Sequence, residues 1–187
     1  EKTRRVFLDV ARQEFAQYGY SEASTSRIVE NSGMARGSLY YHFGDKSGLF
    51  KAVYKEMTEE SYADLRRKMD QYDNPRDSFV AGCEGFLDLA IEKTFRKIVL
   101  IESQSVLSYA ERLKIHEPTF IGRLHRVLGE IYAQKKSETF TSRTAAIMIM
   151  GLLAEFGRSF EFSQDIKHDR KEFSQALTTV IQTINAD

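Results

Sequence analysis

The chain is short of cysteine and proline and carries no net charge, and each shortage removes a class of answer. A single cysteine in 187 residues, Cys83, excludes an intramolecular disulfide and fits a reducing cytosol. Its place on an apolar helical face marks it as a packing thiol rather than a nucleophile. Two prolines and eleven glycines leave too little turn chemistry for an all-β architecture, so an all-α fold is expected. No secretory segment opens the chain, and the most apolar stretch, residues 145–154, is about half the ~20 residues that a membrane helix needs. A soluble, cytoplasmic protein is therefore expected. The four histidines, His42, His116, His125 and His168, are scattered without HExxH or similar metal spacing, and neither a glycine-rich phosphate loop nor a serine elbow is present. The expectation is a protein with no metal, no cofactor and no enzymatic activity.

A formal net charge of zero argues at first against a nucleic-acid partner. The distribution answers that objection. Residues 1–55 hold nine Lys/Arg against six Asp/Glu, a balance of +3, while the remainder holds 18 against 21, a balance of −3. A basic end joined to an acidic body suits a protein of which one end approaches phosphates.

That basic end contains the stretch STSRIVENSGMARGSLYYHFGDKSGL, from Ser24 to Leu49, which reads as two short helices and a tight turn. Ser24, Thr25 and Ser26 are good N-cap residues, Ile28 and Val29 give the first helix a buried edge, and Gly33 stops it. Ala35 to His42 makes the second helix, with Leu39 and Phe43 as core. Two such helices around a glycine-containing turn form the helix-turn-helix pattern, which sets its second helix in a DNA major groove. Arg36, Ser38, Tyr40, Tyr41 and His42 supply donors and flat rings, Gly37 lets the backbone come close, and Lys46 follows the capping Asp45.

The run Gly33-Met34-Ala35-Arg36-Gly37-Ser38-Leu39-Tyr40-Tyr41-His42-Phe43, with Lys46 and Leu49 behind it, resembles the DNA-binding domain of the tetracycline-repressor (TetR) family of bacterial transcriptional regulators. The likeness covers residues 3 to 55. Val29 and Met34 depart from the commonest pattern, and both are apolar changes that should repack. The resemblance implies that Arg36, Gly37 and Ser38 approach base edges, while Thr25, Tyr40, Tyr41, His42 and Lys46 hold the helix against phosphates. It also implies a helix-turn-helix domain over residues 1–47 and a helical ligand-binding and dimerisation domain over 48–187. The partners are then an operator in double-stranded DNA, an unidentified small-molecule inducer and a second copy of the chain, paired through the last two helices. The alternative is an all-α small-molecule-binding or interaction protein whose helix-turn-helix is only a packing element.

Before the motif, a helix over residues 3–18 carries Val6, Phe7, Val10, Ala11, Phe15 and Tyr18 on one stripe and ends at Gly19. Arg4 and Arg5 at its start either reach the DNA backbone or are solvated. From Lys46 a long helix runs to Met69, leaving the first domain and entering the second. Asn74 and Pro75 open the next helix. Helices follow over 94–107 and 110–135, the latter bent by Pro118, with Lys135-Lys136-Ser137 as a polar loop. A helix from Thr141 or Ser142 is apolar nearly all round and must be covered on more than one side. Within it Gly151, Ala154 and Gly157 recur at three-residue spacing and could admit a close helix partner. The last helix, 170–184, carries Phe173, Ala176, Leu177, Val180, Ile181 and Ile184 on one stripe.

If the body is a sensor, its pocket lies between residues 75 and 162. Phe79, Phe86, Leu100, Tyr109, Phe120 and Phe156 are candidate walls. Glu102 and Glu155 follow apolar runs, and a buried carboxylate there needs a partner, either an internal one such as Arg158 or Arg96 or a polar or cationic ligand.

Overall fold

The computed structural model describes residues 1–133 and 141–184, with side chains through Val180. The expected Lys135-Lys136-Ser137 loop and the side chains of Ile181 and Ile184 lie outside the described residues. Nine helices and no strand occur among those described: α1 (Lys2–Glu22), α2 (Thr25–Ser32), α3 (Arg36–Phe43), α4 (Lys46–Met69), α5 (Pro75–Ile91), α6 (93–106), α7 (109–132), α8 (Ser142–Ser159), extended by a 3₁₀ turn at Phe160–Phe162, and α9 (Ile166–Ile184). The fold is all-α, as the composition requires.

Local chemistry sets the boundaries. The Ser24 hydroxyl accepts from the Arg27 amide to start α2, and Gly33, at φ 63°, turns the chain left-handed to end it. Asp45 caps α4 by accepting from Gly48, and Asn74 caps α5 with Pro75 in the first turn. Two sequence boundaries shift. Gly19 breaks α1 at φ 73°, but one further turn runs on to Glu22. The last helix begins at Ile166 rather than Arg170, because the Asp165 carboxylate accepts from the His168 amide and fixes an earlier first turn.

Two helices contain wider turns. Residues Arg96–Glu102 of α6 are wound as π-helix, and so are Glu117–Ile121 of α7. The second lies where Pro118 removes a donor, and Thr119 leaves helical geometry altogether (φ −109°, ψ −106°). The expected bend is therefore local and sharp.

Helices α1 to α3 and the start of α4 form a head around Phe7, Phe15, Ile28, Leu39, Leu49 and Phe50, all fully buried. Val29 and Met34, the two departures from the TetR pattern, pack half-buried against this core. The rest of α4 and α5 to α9 form the body. There α8 buries Ala145, Ala146, Ile149 and Leu153, yet Ile147 and Met148 remain 41% and 47% exposed. Within one chain α8 therefore keeps part of its apolar surface bare, and its small residues do not share one face. At about 100° per residue, Gly151 and Gly157 point roughly 120° apart. A Cβ on Gly157 would strike Leu100 at 2.5 Å and Ala90 at 2.9 Å, so that glycine serves packing inside the body, while Gly151 has open space beside it.

Inside the head, the buried Glu14 carboxylate ties α1 to α2. It accepts from the Ser24 amide at 2.8 Å and from Arg27 Nε at 2.7 Å. The Arg27 guanidinium also lies 4.3 Å from the centre of the Tyr18 ring. Replacing Glu14 by alanine should cost about 1 to 3 kcal/mol in urea unfolding, since a buried amide loses its acceptor. Glu14→Gln, which keeps a neutral acceptor, should lose clearly less; equal losses would show that packing rather than hydrogen bonding holds α2.

Candidate nucleic-acid interface and body cavity

Thr25 opens α2 and Arg36 opens α3. The Tyr40 hydroxyl joins them. Arg36 first, and then Thr25, hydrogen-bond to it and lower its pKa. Arg36 is exposed and pairs with no carboxylate among the described residues, so its charge is available. Gly37 has nothing within 4 Å of where a Cβ would sit, leaving the backbone there open to approach. Ser38 is half-buried beside them. One turn on, Tyr41 is 85% exposed and stacks edge-on with His42 at 5.2 Å. A tyrosine this bare has no packing role within the chain.

Lys46 is placed differently from its neighbours. Its ammonium donates to the Ser21 carbonyl at 3.0 Å and lies 4.8 Å from the Tyr20 ring centre, so it braces the end of α1 in the free protein. Arg5 is exposed, and its charge is already answered within the chain. It bridges to Asp9 and, across to α4, to Glu56 at 3.1 Å. Arg4 instead lies over the Phe43 ring at 5.7 Å. Thr25, Arg36, Gly37, Ser38, Tyr40, Tyr41 and His42 are thus brought to one end of the molecule, and Lys46 flanks them.

The body holds a cavity of about 280 Å³. Its floor is apolar and comes from three helices: Tyr54 of α4, Phe86 of α5, and Val99 and Leu100 of α6. Arg112, Leu113 and His116 of α7 form one wall, and Met150, Ala154 and Arg158 of α8 the other. Gln104, Tyr109 and Ile147, all exposed, stand at the mouth. Of the residues expected from sequence, Phe86, Leu100 and Tyr109 line it. Phe120 lines a neighbouring void of about 20 Å³ that shares Phe86 and Met150. Phe79 is sealed in the core, and Phe156 stacks on Phe173 at 4.4 Å.

The two acids lie elsewhere. Glu155 is exposed and paired with Arg158, because α8 turns that position to solvent. Glu102 is half-buried against the head, where a Cβ on Gly19 would meet its Oε1 at 2.4 Å. Neither carboxylate lines the cavity. Sequence reading missed Tyr54, Gln104, Arg112 and His116. The signal was present in Tyr109, Arg112 and His116, which recur at helical spacing on one face of α7.

Residues 7–53 match the family model described as bacterial regulatory proteins of the tetR family, and residues 76–184 match the tetracyclin repressor-like C-terminal domain. The chain belongs to the TetR family. It is 27% identical to the HTH-type transcriptional regulator AcrR of Shigella flexneri over 192 residues, covering 95% of this chain and 88% of AcrR. An HTH-type transcriptional repressor of Mycobacterium tuberculosis is 45% identical over 65 residues, a match that spans 35% of each chain. Among solved structures, a TetR-family transcriptional regulator from Pectobacterium atrosepticum superposes with a TM-score of 0.83 at 25% identity, covering all of this chain and 96% of that one. TetR proteins are DNA-binding regulators, not enzymes. Among the described residues of this TetR chain, no helix is long and apolar enough to cross a membrane.

Within the TetR body, the buried polar pair is Tyr54 with His116, joined at 2.6 Å between the hydroxyl and Nε2. Burial raises the Tyr54 pKa, so the phenol keeps its proton. The other ring nitrogen of His116, Nδ1, is buried without a partner among the described residues. Burial, and then the charge of Arg112, lower the His116 pKa from 6.5 to about 4. Cys83 is likewise pushed up by burial and stays an inert thiol.

The histidine gives the stability a pH dependence of known sign. An unfolded chain protonates His116 near 6.5, whereas the folded chain resists until about 4. Between these values unfolding takes up a proton, so stability is full above about pH 6.5 and falls as pH drops toward about 4, by about 3 kcal/mol in all. Urea midpoints measured from pH 7 to pH 4.5 should fall more steeply for the parent than for His116→Gln. Parallel profiles would remove His116 as the cause.

Proposed function

We propose that the protein is a ligand-responsive repressor that binds a near-palindromic operator as a homodimer in the cytoplasm and is released by a small molecule entering the body cavity. The observation that carries this reading is the unpaired Arg36 at the exposed start of α3, beside Thr25 and Tyr40, in a chain of the TetR family. Residues 1–47 act as the reading head, and residues 48–187 sense and dimerise. In this reading Arg36, Gly37 and Ser38 meet base edges, while Thr25, Tyr40, Tyr41 and His42 fix α3 against phosphates. Lys46 serves the phosphate backbone only after leaving Ser21, so its contribution is offset by the loss of that internal contact.

The dimer reading is supported by the strip that one chain leaves bare on α8: Ile147, Met148 and Gly151. Paired with α9 and the same helices of a second copy, it makes a four-helix interface. A two-fold dimer sets its half-sites about one turn, roughly 34 to 36 Å, apart or a little more.

Selection of bound DNA from a random library should return a near-palindrome, and its sites would identify the regulated genes. On the recovered operator, Arg36→Ala should cost about 1 to 3 kcal/mol and relax the base preference at one position per half-site. Lys46→Ala should weaken all sequences alike and lower the salt slope. Unchanged affinity and slope in both variants would count against the interface. For the dimer, sedimentation should give twice the chain mass of 21.5 kDa, and Met148→Asp should shift the protein toward the single-chain mass. A parent that sediments as one chain in dilute solution would overturn the four-helix interface.

A further inference from the structure

We infer that the body cavity takes a small amphipathic organic acid, with its carboxylate on the Arg112 guanidinium and its apolar part directed toward Phe86 and Met150. This rests on the reading of the cavity as the regulator's sensor site and narrows the class of compound it accepts.

The lining contains two arginines and no carboxylate. Arg158 is answered by Glu155 on its own helix. Arg112 forms no ion pair with any described residue, although it is half-buried. Its Nη1 donates to the carbonyls of Ser103 and Leu107, which fixes the guanidinium plane. The charge is therefore held in place with no anion beside it. An uncompensated cation at the edge of an apolar space is costly, and a carboxylate accepts two parallel N–H bonds from a guanidinium better than any neutral group does. His116, on the same wall, adds a buried ring nitrogen, Nδ1, that has no partner among the described residues.

The opposite charge and the absence of charge both fit less well. A cationic ligand would meet Arg112 with no carboxylate in the lining to hold it. A wholly apolar one would dry the cavity and leave Arg112 without a counter-charge. The apolar end has its own place. Tyr54, Phe86, Val99 and Leu100 make the floor, and the smaller void continues past Phe86 and Met150. With about 280 Å³, the cavity lies at the lower edge of the usual ~300–1,000 Å³ for ligand sites, which suits a small acid better than a bulky cofactor.

The test compares octanoate, octanamide and octylamine, which share one chain length and differ in charge, by calorimetry on the full chain at pH 7. Octanoate should bind about tenfold or more tightly than the other two. Arg112→Gln should reduce octanoate to the level of octanamide while leaving octanamide binding unchanged, which also reports that the variant's cavity is intact. Arg112→Lys, which keeps the charge but loses the fork, should fall between. The inference is overturned if octanamide or octylamine binds as well as octanoate, if octanoate does not bind at millimolar concentration, or if Arg112→Gln binds octanoate like the parent. Operator affinity measured on the same samples separates the two readings. Release of DNA by the amide or the amine keeps the sensor and removes the acid. Tight octanoate binding with unchanged operator affinity keeps the acid site and removes the sensor.

Discussion

One helix belongs to two cores, and the rest of the molecule is arranged around that constraint. The first turns of α4 complete the head, where the Phe50 ring meets Phe15 at 5.1 Å and Tyr20 at 5.3 Å. Four residues later Tyr54, fully buried, reaches His116 in the body. The far end packs closely on α5 at Gly82 and Gly85, where a Cβ would come within 3 Å of the Met69 and Leu65 side chains. Close-packed interiors do not deform smoothly. A head fixed to such a helix can change its aim only if α4 moves as a unit within the body.

A second joint restricts that movement. The Lys97 ammonium donates to the carbonyls of Ala16 and Gln17, where α1 breaks at Gly19, and the Glu102 carboxylate fills the space that the glycine leaves. A cation on the last carbonyls of a helix is favoured by the dipole as well as by the hydrogen bonds. Both residues come from the π-wound part of α6. From that part Lys97 and Glu102 both meet the head, while Val99 and Leu100 floor the cavity. One stretch of seven residues thus reaches both the head and the cavity.

The head was legible in the sequence because its signals are local. Caps at Ser24, Asp45 and Asn74, the left-handed glycine at Gly33 and the proline at the start of α5 each act within a few residues, so the chain order alone shows them. The family pattern from Gly33 to Leu49 then gave the role of the exposed face. Long-range features were not legible. The Arg5 to Glu56 bridge, the clamp of Lys46 on Ser21 and the Glu14 tie to Ser24 join residues 10 to 51 positions apart. Aromatic side chains in the body raised the same difficulty, since Phe79 and Phe86 share one helix and only the packing of α7 and α8 decides which one meets the cavity.

Charge was the least legible property of all. In the sequence Glu102 and Glu155 stand out because apolar residues precede them, and Arg112 does not, lying between Glu111 and Leu113 in a mixed stretch. Folding inverts that order. Glu155 falls on the outer side of α8, and Glu102 turns to the head. Glu111, the adjacent carboxylate, is spent on Lys51 of α4 and on Ser108 in a capping box, and these bonds hold its pKa down at about 2. Its neighbour is left without a counter-charge. The cation of the cavity is therefore a consequence of how α7 begins: the residue that caps the helix is withdrawn from the wall, and the arginine next to it faces an apolar space alone.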